Sequence, residues 1–210
     1  MIIGICGLIG SGKGTVADTL IAEHNFKKLS FADALKDGVS TIFNWDRKML
    51  EGDTKESRDW REQQDSFWTK ETGKEITPRL VLQLFGTECM REGFFDGIWV
   101  SLVKQKILNN PQQNWVIPDV RFPNEIKAIK ELNGNLWQVR RGNKPLWWAT
   151  ALSINENWDF VGEHHSMSAV FPEVHESEWR WVCHDDNFNA IIGNDSTLES
   201  LKHQVLNLLS

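Results

Sequence analysis

The chain has no tyrosine and only three cysteines, Cys6, Cys89 and Cys183. Their number is odd and no two are closely spaced. That argues against a disulfide framework and a cysteine zinc site, and fits reduced thiols in a cytosol. No apolar run approaches the roughly 18–20 residues needed to cross a bilayer, so no membrane partner is expected and the expected location is cytoplasmic. Positive charge is in deficit: 23 Lys and Arg stand against 29 Asp and Glu, a formal net charge of −6. A broad DNA-binding surface needs a basic footprint, so direct nucleic-acid binding is not expected. An enzyme of small nucleotides needs none, because a few cations in a cleft suffice. Against the missing tyrosine stand 11 Trp and 11 Phe. Most of the tryptophans read as packing residues, and the absence of Tyr has no physical account. Repeats, low-complexity tracts and linkers are also missing. The expectation is therefore one domain over 1–210, long enough for one sizeable core or a core with an inserted flap.

What the chain does have is alternation. Residues 1–6, Met1-Ile2-Ile3-Gly4-Ile5-Cys6, are apolar, short and without a basic flank, so they read as a buried parallel strand and not as a signal peptide. Val16, Ala17, Leu20 and Ile21 then recur at helical spacing. A second strand is expected over 26–32 and a helix over 34–43. The segment 44–75 is dense in charge, carries Trp45, Trp60 and Trp68, and reads as an irregular or helical excursion on the substrate side. Thr77-Pro78 looks like an N-cap with proline at the first helical position, opening a helix over 79–92, followed by one over 98–109. Further strands are expected at 115–117, 136–140 and 188–192, with a helix over 124–132 ended by Asn133-Gly134. Ser196-Thr197-Leu198-Glu199 fits a capping box, opening a helix with Leu198, Leu201, Val205 and Leu208 on one face. The weakly patterned stretch 142–179 reads as lid-like. Strands alternating with helices imply an α/β fold: a three-layer sandwich with a parallel sheet of about five strands and helices on both faces.

Gly7-Leu8-Ile9-Gly10-Ser11-Gly12-Lys13-Gly14-Thr15 carries the most information. Phosphates need many donors in a small space. Glycines let successive N–H groups turn inward to form an anion nest at a helix N-terminus, and a lysine adds a compact charge for β- and γ-phosphates. The context of strand, glycine loop and helix is the required one. Gly10, Ser11, Gly12, Lys13, Gly14 and Thr15 are thus the candidate ATP-phosphate residues. The generic loop has Ser or Thr directly after the lysine. Here Gly14 stands there and Thr15 follows, an ending closer to nucleoside monophosphate kinases than to GTPases or motor ATPases.

Asp119 follows a buried strand at its carboxyl end, the edge where doubly wound folds bind ligands. A carboxylate there suits Mg²⁺, directly or through water, with Thr15 as a second candidate ligand. Asp119 also suits a turn after Pro118. Arg121 lies within reach of a phosphate. Arg140-Arg141 ends another strand at the same edge, either as a phosphate clamp or as an ordinary charged strand end. Lys13, Arg121, Arg140 and Arg141 are the candidate catalytic residues. Arg79 and Arg91 are too far apart along a helix to share a small site unless the helix breaks at Gly86-Thr87. His164-His165 and His175 lack an accompanying ligand set, so no metal site is expected there.

In order along the chain stand the glycine loop, Phe31-Ala32-Asp33-Ala34-Leu35-Lys36, Thr77-Pro78-Arg79 with Leu82-Gln83 and Gly86-Thr87-Glu88, and Trp99. After them come Pro118-Asp119-Val120-Arg121-Phe122-Pro123-Asn124-Glu125, Arg140-Arg141-Gly142, His175-Glu176-Ser177-Glu178, and Gly193-Asn194-Asp195-Ser196-Thr197-Leu198-Glu199. This ordered set resembles the deoxynucleoside monophosphate kinases of tailed bacteriophages. The resemblance implies an adenylate-kinase-like fold and transfer from ATP to a dNMP with Mg²⁺, in a host bacterial cytoplasm. It also implies that Lys36, Arg79, Gly86, Thr87, Trp99, Asp119, Arg121 and Glu125 line the acceptor site. Lys36, Arg79 and Arg121 would neutralise the acceptor phosphate. Trp99 would offer the base a flat face, or else is core. The segments 44–75 and 143–174 match least, which leaves the accepted base open.

The expected mechanism is in-line attack by an acceptor phosphate oxygen on the γ-phosphorus, driven by alignment and charge neutralisation, with lid closure excluding water. Two rivals stay open: a P-loop kinase for another small acceptor, and a nucleotide-binding module without transfer activity. A homodimer is a fair expectation for a soluble enzyme.

Overall fold

The five residues of the first strand carry no charge and the last four, Ile3–Cys6, are buried, which is what a strand covered on both faces requires. The computed structural model describes residues 1–156 and 164–209, and side chains for all of these but 164–166. The chain divides into two compact units, one of Met1–Ser30 with Lys106–Ser210 and one of Phe31–Gln105. In chain order the elements are β1 (Ile2–Cys6), α1 (Lys13–His24), β2 (Phe26–Lys28), α2 (Asp33–Phe43), α3 (Lys55–Glu62), α4 (Ser66–Thr72), α5 (Pro78–Leu84), a π-helix (Phe85–Glu92) and α6 (Ile98–Leu108). They continue as β3 (Asn114–Ile117), α7 (Pro123–Glu131), β4 (Asn135–Arg140), α8 (Trp148–Glu156), α9 (His164–Val170), α10 (Glu176–Trp179), a 3₁₀ turn (Asp185–Asn187), β5 (Ala190–Gly193) and α11 (Leu198–Asn207).

In the first unit the strands form one parallel sheet in the order β2-β3-β1-β4-β5. The two faces of β1 show why helices cover both sides. Ile3 and Ile5 are fully buried in one cluster with Val16 and Leu20 of α1 and Leu201 and Val205 of α11. Each such side chain contributes about 1.5–3 kcal/mol when removed from water. Between them Gly4 faces the other side. A Cβ there would lie 2.4 Å from Ile129 of α7, so only hydrogen fits. The expected three-layer α/β sandwich with five parallel strands is what the chain forms.

Several boundaries differ from the sequence expectation. Ile21 lies 36% exposed, and α1 buries Val16, Ala17, Thr19 and Leu20 instead. Thr19 is tolerated there because its Oγ1 donates to the Thr15 carbonyl at 2.9 Å. β2 ends at Lys28 rather than running to residue 32. The Leu29 N–H still bonds the Val116 carbonyl at 2.9 Å, and the chain then leaves the sheet. β5 starts at Ala190, because the 3₁₀ turn occupies the residues just before Phe188. α11 is capped by Thr197, which accepts from the Ser200 N–H at 3.1 Å, one residue later than the box at Ser196. That step turns Leu198 out to 57% exposure. Within 142–179, Trp148, Ala151, Ile154, Met167 and Trp179 are buried. Part of this stretch, 157–163, lies outside the described residues, as do the side chains of His164 and His165.

The second unit contains the excursion 44–75 within a longer run. Val39, Leu50 and Val81 form its centre, packed by Leu35, Phe43, Trp45, Trp60 and Phe85 among others. Phe43 stacks on Trp45 at 4.7 Å and meets Trp68 edge-on at 5.0 Å, so these tryptophans are packing residues. Asp65 ties two of them together, accepting from the Trp45 indole and the Trp68 N–H at 2.9 Å each. α5 opens as expected, with Thr77 accepting from the Leu80 N–H at 3.1 Å and Pro78 at the first position. The helix expected over 79–92 is not a single α-helix: it switches from α to π at Phe85, just before Gly86-Thr87, which changes the phase of the later side chains.

Candidate active site

The glycine loop leaves the carboxyl end of β1 and closes at the first turn of α1. Gly7 has φ 150° and Gly12 φ 103°, conformations that side chains resist. A Cβ on Gly7 would stand 2.4 Å from the Val139 carbonyl oxygen, and one on Gly12 would stand 2.3 Å from Asn194 Nδ2. The second contact is functional, because Asn194 Nδ2 donates to the Ser11 carbonyl at 2.8 Å and so fixes the loop from the end of β5. Ser11 is 2% exposed, and its Oγ is buried with no hydrogen-bond partner among the described residues. Buried hydroxyls almost always have a partner. Lys13 Nζ donates to the carbonyls of Gly7 at 2.7 Å and Leu8 at 2.8 Å, laying its ammonium back across the loop. Burial, reinforced by the positive charge of Arg121, lowers its pKa from 10.5 to about 8.

At the carboxyl end of β3 the chain places Asp119, Arg121 and Glu125 within seven residues. Asp119 accepts from Ser30 Oγ at 2.5 Å. Glu125 is 2% exposed. Its Oε2 accepts from the N–H groups of Arg121 at 2.8 Å and Phe122 at 3.1 Å, which satisfies the open first turn of α7 and sets where Arg121 begins. The Arg121 guanidinium is paired with Glu178 of α10 and donates to Ser177 Oγ at 3.3 Å. Burial opposes its charge, but Glu178, aided by Asp119 and Glu125, outweighs burial and holds it more firmly protonated than usual.

β4 ends at the same edge of the sheet, since Cys6 is in register with Gln138. Arg140 donates to Gln138 Oε1 and faces Asp185 at 3.4 Å, while its carbonyl accepts from the Asn194 N–H at 2.8 Å. Arg141 is exposed. The next residue, Gly142, donates its N–H to Asp195 at 2.6 Å, which ties the end of β4 to the turn after β5.

The other expected acceptor residues belong to the second unit. Lys36 pairs with Glu51 at 2.7 Å, and Arg79 pairs with Glu62 at 2.9 Å. Glu51 also pairs with Arg47. Burial would raise its carboxyl, but the hydrogen bonds and charges of Lys36 and Arg47 outweigh that and hold it at about 2. Gly86 packs so closely on Leu35 that a Cβ would stand 2.9 Å from Cδ2. Its carbonyl accepts from the Trp99 indole at 3.0 Å, and Trp99 is buried at 5% exposure. Thr87 is partly exposed.

The first unit therefore brings together Lys13, Asp119 and Arg121, with Glu125 behind them and Arg140 along the edge. Lys36, Arg79, Gly86, Thr87 and Trp99 are grouped in the second. Sequence reasoning missed Ser30, Ser177, Glu178 and Asn194 as site residues. Each reaches the site from a remote chain position, although Ser177, Glu178 and Asn194 stand in the ordered motifs quoted above. Among the described residues no group of three or more His, Cys, Asp or Glu is arranged to hold a metal ion, and no helix is long and apolar enough to cross a membrane.

No known protein-family profile matches the chain. A protein of Acanthamoeba polyphaga mimivirus named "Putative deoxynucleotide monophosphate kinase" is 34% identical over 153 residues, which cover 67% of this chain and 74% of that protein. The deoxynucleoside-5'-monophosphate kinase of Escherichia phage T5 is 43% identical over 58 residues, covering 28% of this chain and 23% of the phage enzyme. Among solved structures, the chain is similar to dephospho-CoA kinase from Campylobacter jejuni, with a TM-score of 0.49 at 11% identity over 99% of this chain and 94% of that one. Shikimate kinase from Aquifex aeolicus gives a TM-score of 0.45 at 14% identity over 100% of this chain and 96% of its own.

Proposed function

We propose how the site works from one premise: this chain belongs to the deoxynucleoside monophosphate kinase family. It transfers a phosphoryl group to a deoxynucleoside monophosphate, giving the diphosphate, and the donor we assign is ATP. The observation that carries the assignment is the glycine loop with Lys13 folded over it, beside Asp119 and Arg121 at one sheet edge.

The loop fits a polyphosphate on its own evidence. Its glycines admit no Cβ at Gly7 and Gly12, and among the described residues Ser11 Oγ is a buried hydroxyl with no hydrogen-bond partner and the Lys13 ammonium donates to the neutral carbonyls of Gly7 and Leu8. Lys13 would turn from those carbonyls to the β- and γ-phosphates, with Gly10, Gly12, Gly14 and Thr15 supplying backbone and hydroxyl donors. Arg121, and Arg140 with Arg141 along the edge, would neutralise charge that builds on the transferring group. Mg²⁺ suits the donor set, because hard oxygens from Asp119, Ser30 and Thr15 match an ion that takes one or two carboxylates and completes its shell with phosphate and water. Bound there, it would supply neutralisation of the phosphate oxygens.

The acceptor phosphate oxygen is already anionic, so the reaction needs alignment more than a general base. Lys36 and Arg79 would neutralise the acceptor phosphate. Gly86 and Thr87 would line its path, and Trp99 would fix the Gly86 carbonyl through its indole N–H. Glu125 acts through the backbone of Arg121 as a positioning residue. The reading places the enzyme in a cytoplasm, that of the host if the chain is viral.

The test is ADP release from Mg-ATP with each of dGMP, dTMP, dCMP and dAMP, beside the ribonucleotides and a control without acceptor. Release that depends on a dNMP is expected, and Lys13→Ala should lower it by about a thousandfold or more, as removal of a principal charge stabiliser does. Release without acceptor, or undiminished in Lys13→Ala, would overturn the assignment.

A further inference from the structure

His175 belongs to no metal cluster among the described residues, yet its imidazole is engaged. It is the N-cap of α10, where its Nδ1 accepts from the Ser177 N–H at 3.3 Å. The same nitrogen lies 3.0 Å from Ser177 Oγ. A ring nitrogen that accepts from a backbone N–H carries no proton of its own, so the network assigns the Nε2–H tautomer. With Nδ1 an acceptor, the Ser177 hydroxyl proton points to the ring and the oxygen is left to accept from another donor. That donor is Arg121, whose Nη1 reaches Ser177 Oγ at 3.3 Å.

The grip on Arg121 is one-sided. Its bonds to Ser177 and to Glu178 both come from Nη1, and among the described residues Nε and Nη2 make none. Those two nitrogens form the edge of the guanidinium that matches two phosphate oxygens side by side. The two partners on α10 also differ in kind. Glu178 carries a charge that an arriving phosphate must displace or share, whereas Ser177 is neutral. Ser177 can therefore keep Nη1 in place while negative charge gathers at the opposite edge.

We propose that His175 and Ser177 are positioning residues: the ring fixes the hydroxyl, and the hydroxyl aims the Nε–Nη2 edge of Arg121 at the phosphoryl group in transfer. The proposal rests on the kinase reading for the group that Arg121 meets. Neither side chain touches substrate. A capping role alone has different consequences, because Ser177→Ala keeps the backbone N–H that His175 accepts. That change leaves α10 capped and removes only the bridge to Arg121.

Turnover and ATP affinity of the whole chain test this, beside nitrogen NMR of its histidine and arginine side chains. Ser177→Ala should lower kcat about tenfold, the scale of a misaimed catalytic group, and change ATP affinity and the KM for dNMP less than about twofold. His175→Ala should lower kcat at least as far. His175→Asn sets an amide oxygen where Nδ1 stands and should recover most of that loss, since asparagine also caps well. In an Arg121→Ala background Ser177→Ala should cost nothing further, because the group it holds is gone. In mildly alkaline buffer His175 should show a bare Nδ1 and a protonated Nε2, and Ser177→Ala should coalesce the Arg121 Nη signals. Unchanged kcat in Ser177→Ala, an equal fall in ATP affinity, or a full further loss in the Arg121→Ala background would overturn the proposal. So would a proton on Nδ1. If Ser177→Ala shows no cooperative thermal transition, Ser177→Cys, which keeps the size without the hydroxyl, decides by the same criteria. A wild-type protein that releases no ADP with any dNMP would refute the kinase reading, and the two NMR signatures then decide whether His175 and Ser177 hold Arg121. Release that depends on dNMP with unchanged kcat in Ser177→Ala would refute the positioning role alone.

Discussion

Lys13 should take up a proton when nucleotide binds, and the amount is set by its environment. Burial and the charge of Arg121 bring the ammonium from an ordinary 10.5 to about 8, although two carbonyls accept from it. At pH 8 about half of the amines are therefore neutral before nucleotide arrives. A polyphosphate in the loop adds several negative charges within reach and returns the pKa towards its ordinary value. Binding then captures about half a proton at pH 8, about nine-tenths at pH 9, and almost none at pH 6.5. The complex holds more protons than the free protein in this window, so affinity falls as pH rises through 8, approaching tenfold per unit above it. Folding obeys the same linkage with its own sign. The folded pKa is depressed, so the unfolded chain binds more protons between pH 8 and 10.5. The charged lysine costs the fold about 3 kcal/mol below pH 8, and that cost is relieved as pH rises towards 10.5. Calorimetric titration with ATP in buffers of different ionisation enthalpy measures the uptake directly, with Lys13→Met as the control that should abolish it. A binding enthalpy independent of buffer at pH 8, or the same slope in Lys13→Met, would refute the reasoning.

Glu178→Gln removes a negative charge that supports both Arg121 and Lys13. The Lys13 pKa should drop further below 8, which moves the pH of half-maximal proton uptake downwards in the same titration. Glu125→Ala leaves the part-buried N–H groups of Arg121 and Phe122 without this acceptor, and should lower unfolding free energy by about 1–2 kcal/mol in a denaturant titration. The Glu51 carboxyl is held at about 2 by Lys36 and Arg47. Its contribution is fully present above pH 4.5 and is lost as pH falls towards 2. Acid unfolding followed by tryptophan fluorescence should become shallower over that window in Glu51→Gln.

The parts of the fold legible in the sequence are those where two independent signals coincide. β1, the loop and α1 combine a buried strand, a glycine spacing and a helical stripe. α5 joins a capping threonine to a proline that only a first turn accepts. Where one weak signal stood alone, the boundary moved. β2 and β5 are the edge strands of the sheet and have only three and four residues, so their pattern is too short to mark an end. At α11, Ser196 and Thr197 are equally good caps by type, and the choice between them decides whether Leu198 faces the core or water. The π-helix after α5 has no residue signature, although Gly86 stands one residue after its start at Phe85. In the site, Lys13 was legible from local spacing alone. Ser30 meets Asp119 across 89 residues, Arg121 meets Glu178 across 57, and Asn194 meets Ser11 across 183. Such partners are chosen by strand order, which one-dimensional spacing does not encode.

The partners that hold each cation also rank how readily it turns to phosphate. Lys13 rests on two neutral carbonyls, so leaving them exposes dipoles and no uncompensated charge. Arg121 rests on Glu178, whose full negative charge repels an arriving phosphate and must be outweighed or shared. Charge-assisted hydrogen bonds are roughly twice as strong as neutral ones, so release from a carboxylate is the harder step. Lys13 should therefore engage a polyphosphate first, and Arg121 should commit only once a second negative group is present. The order follows from chemistry, because the donor must be seated before charge builds on the group in transfer. A polyphosphate alone should then leave the Arg121–Glu178 pair intact, while a mimic of the transferring group that carries more charge should open it.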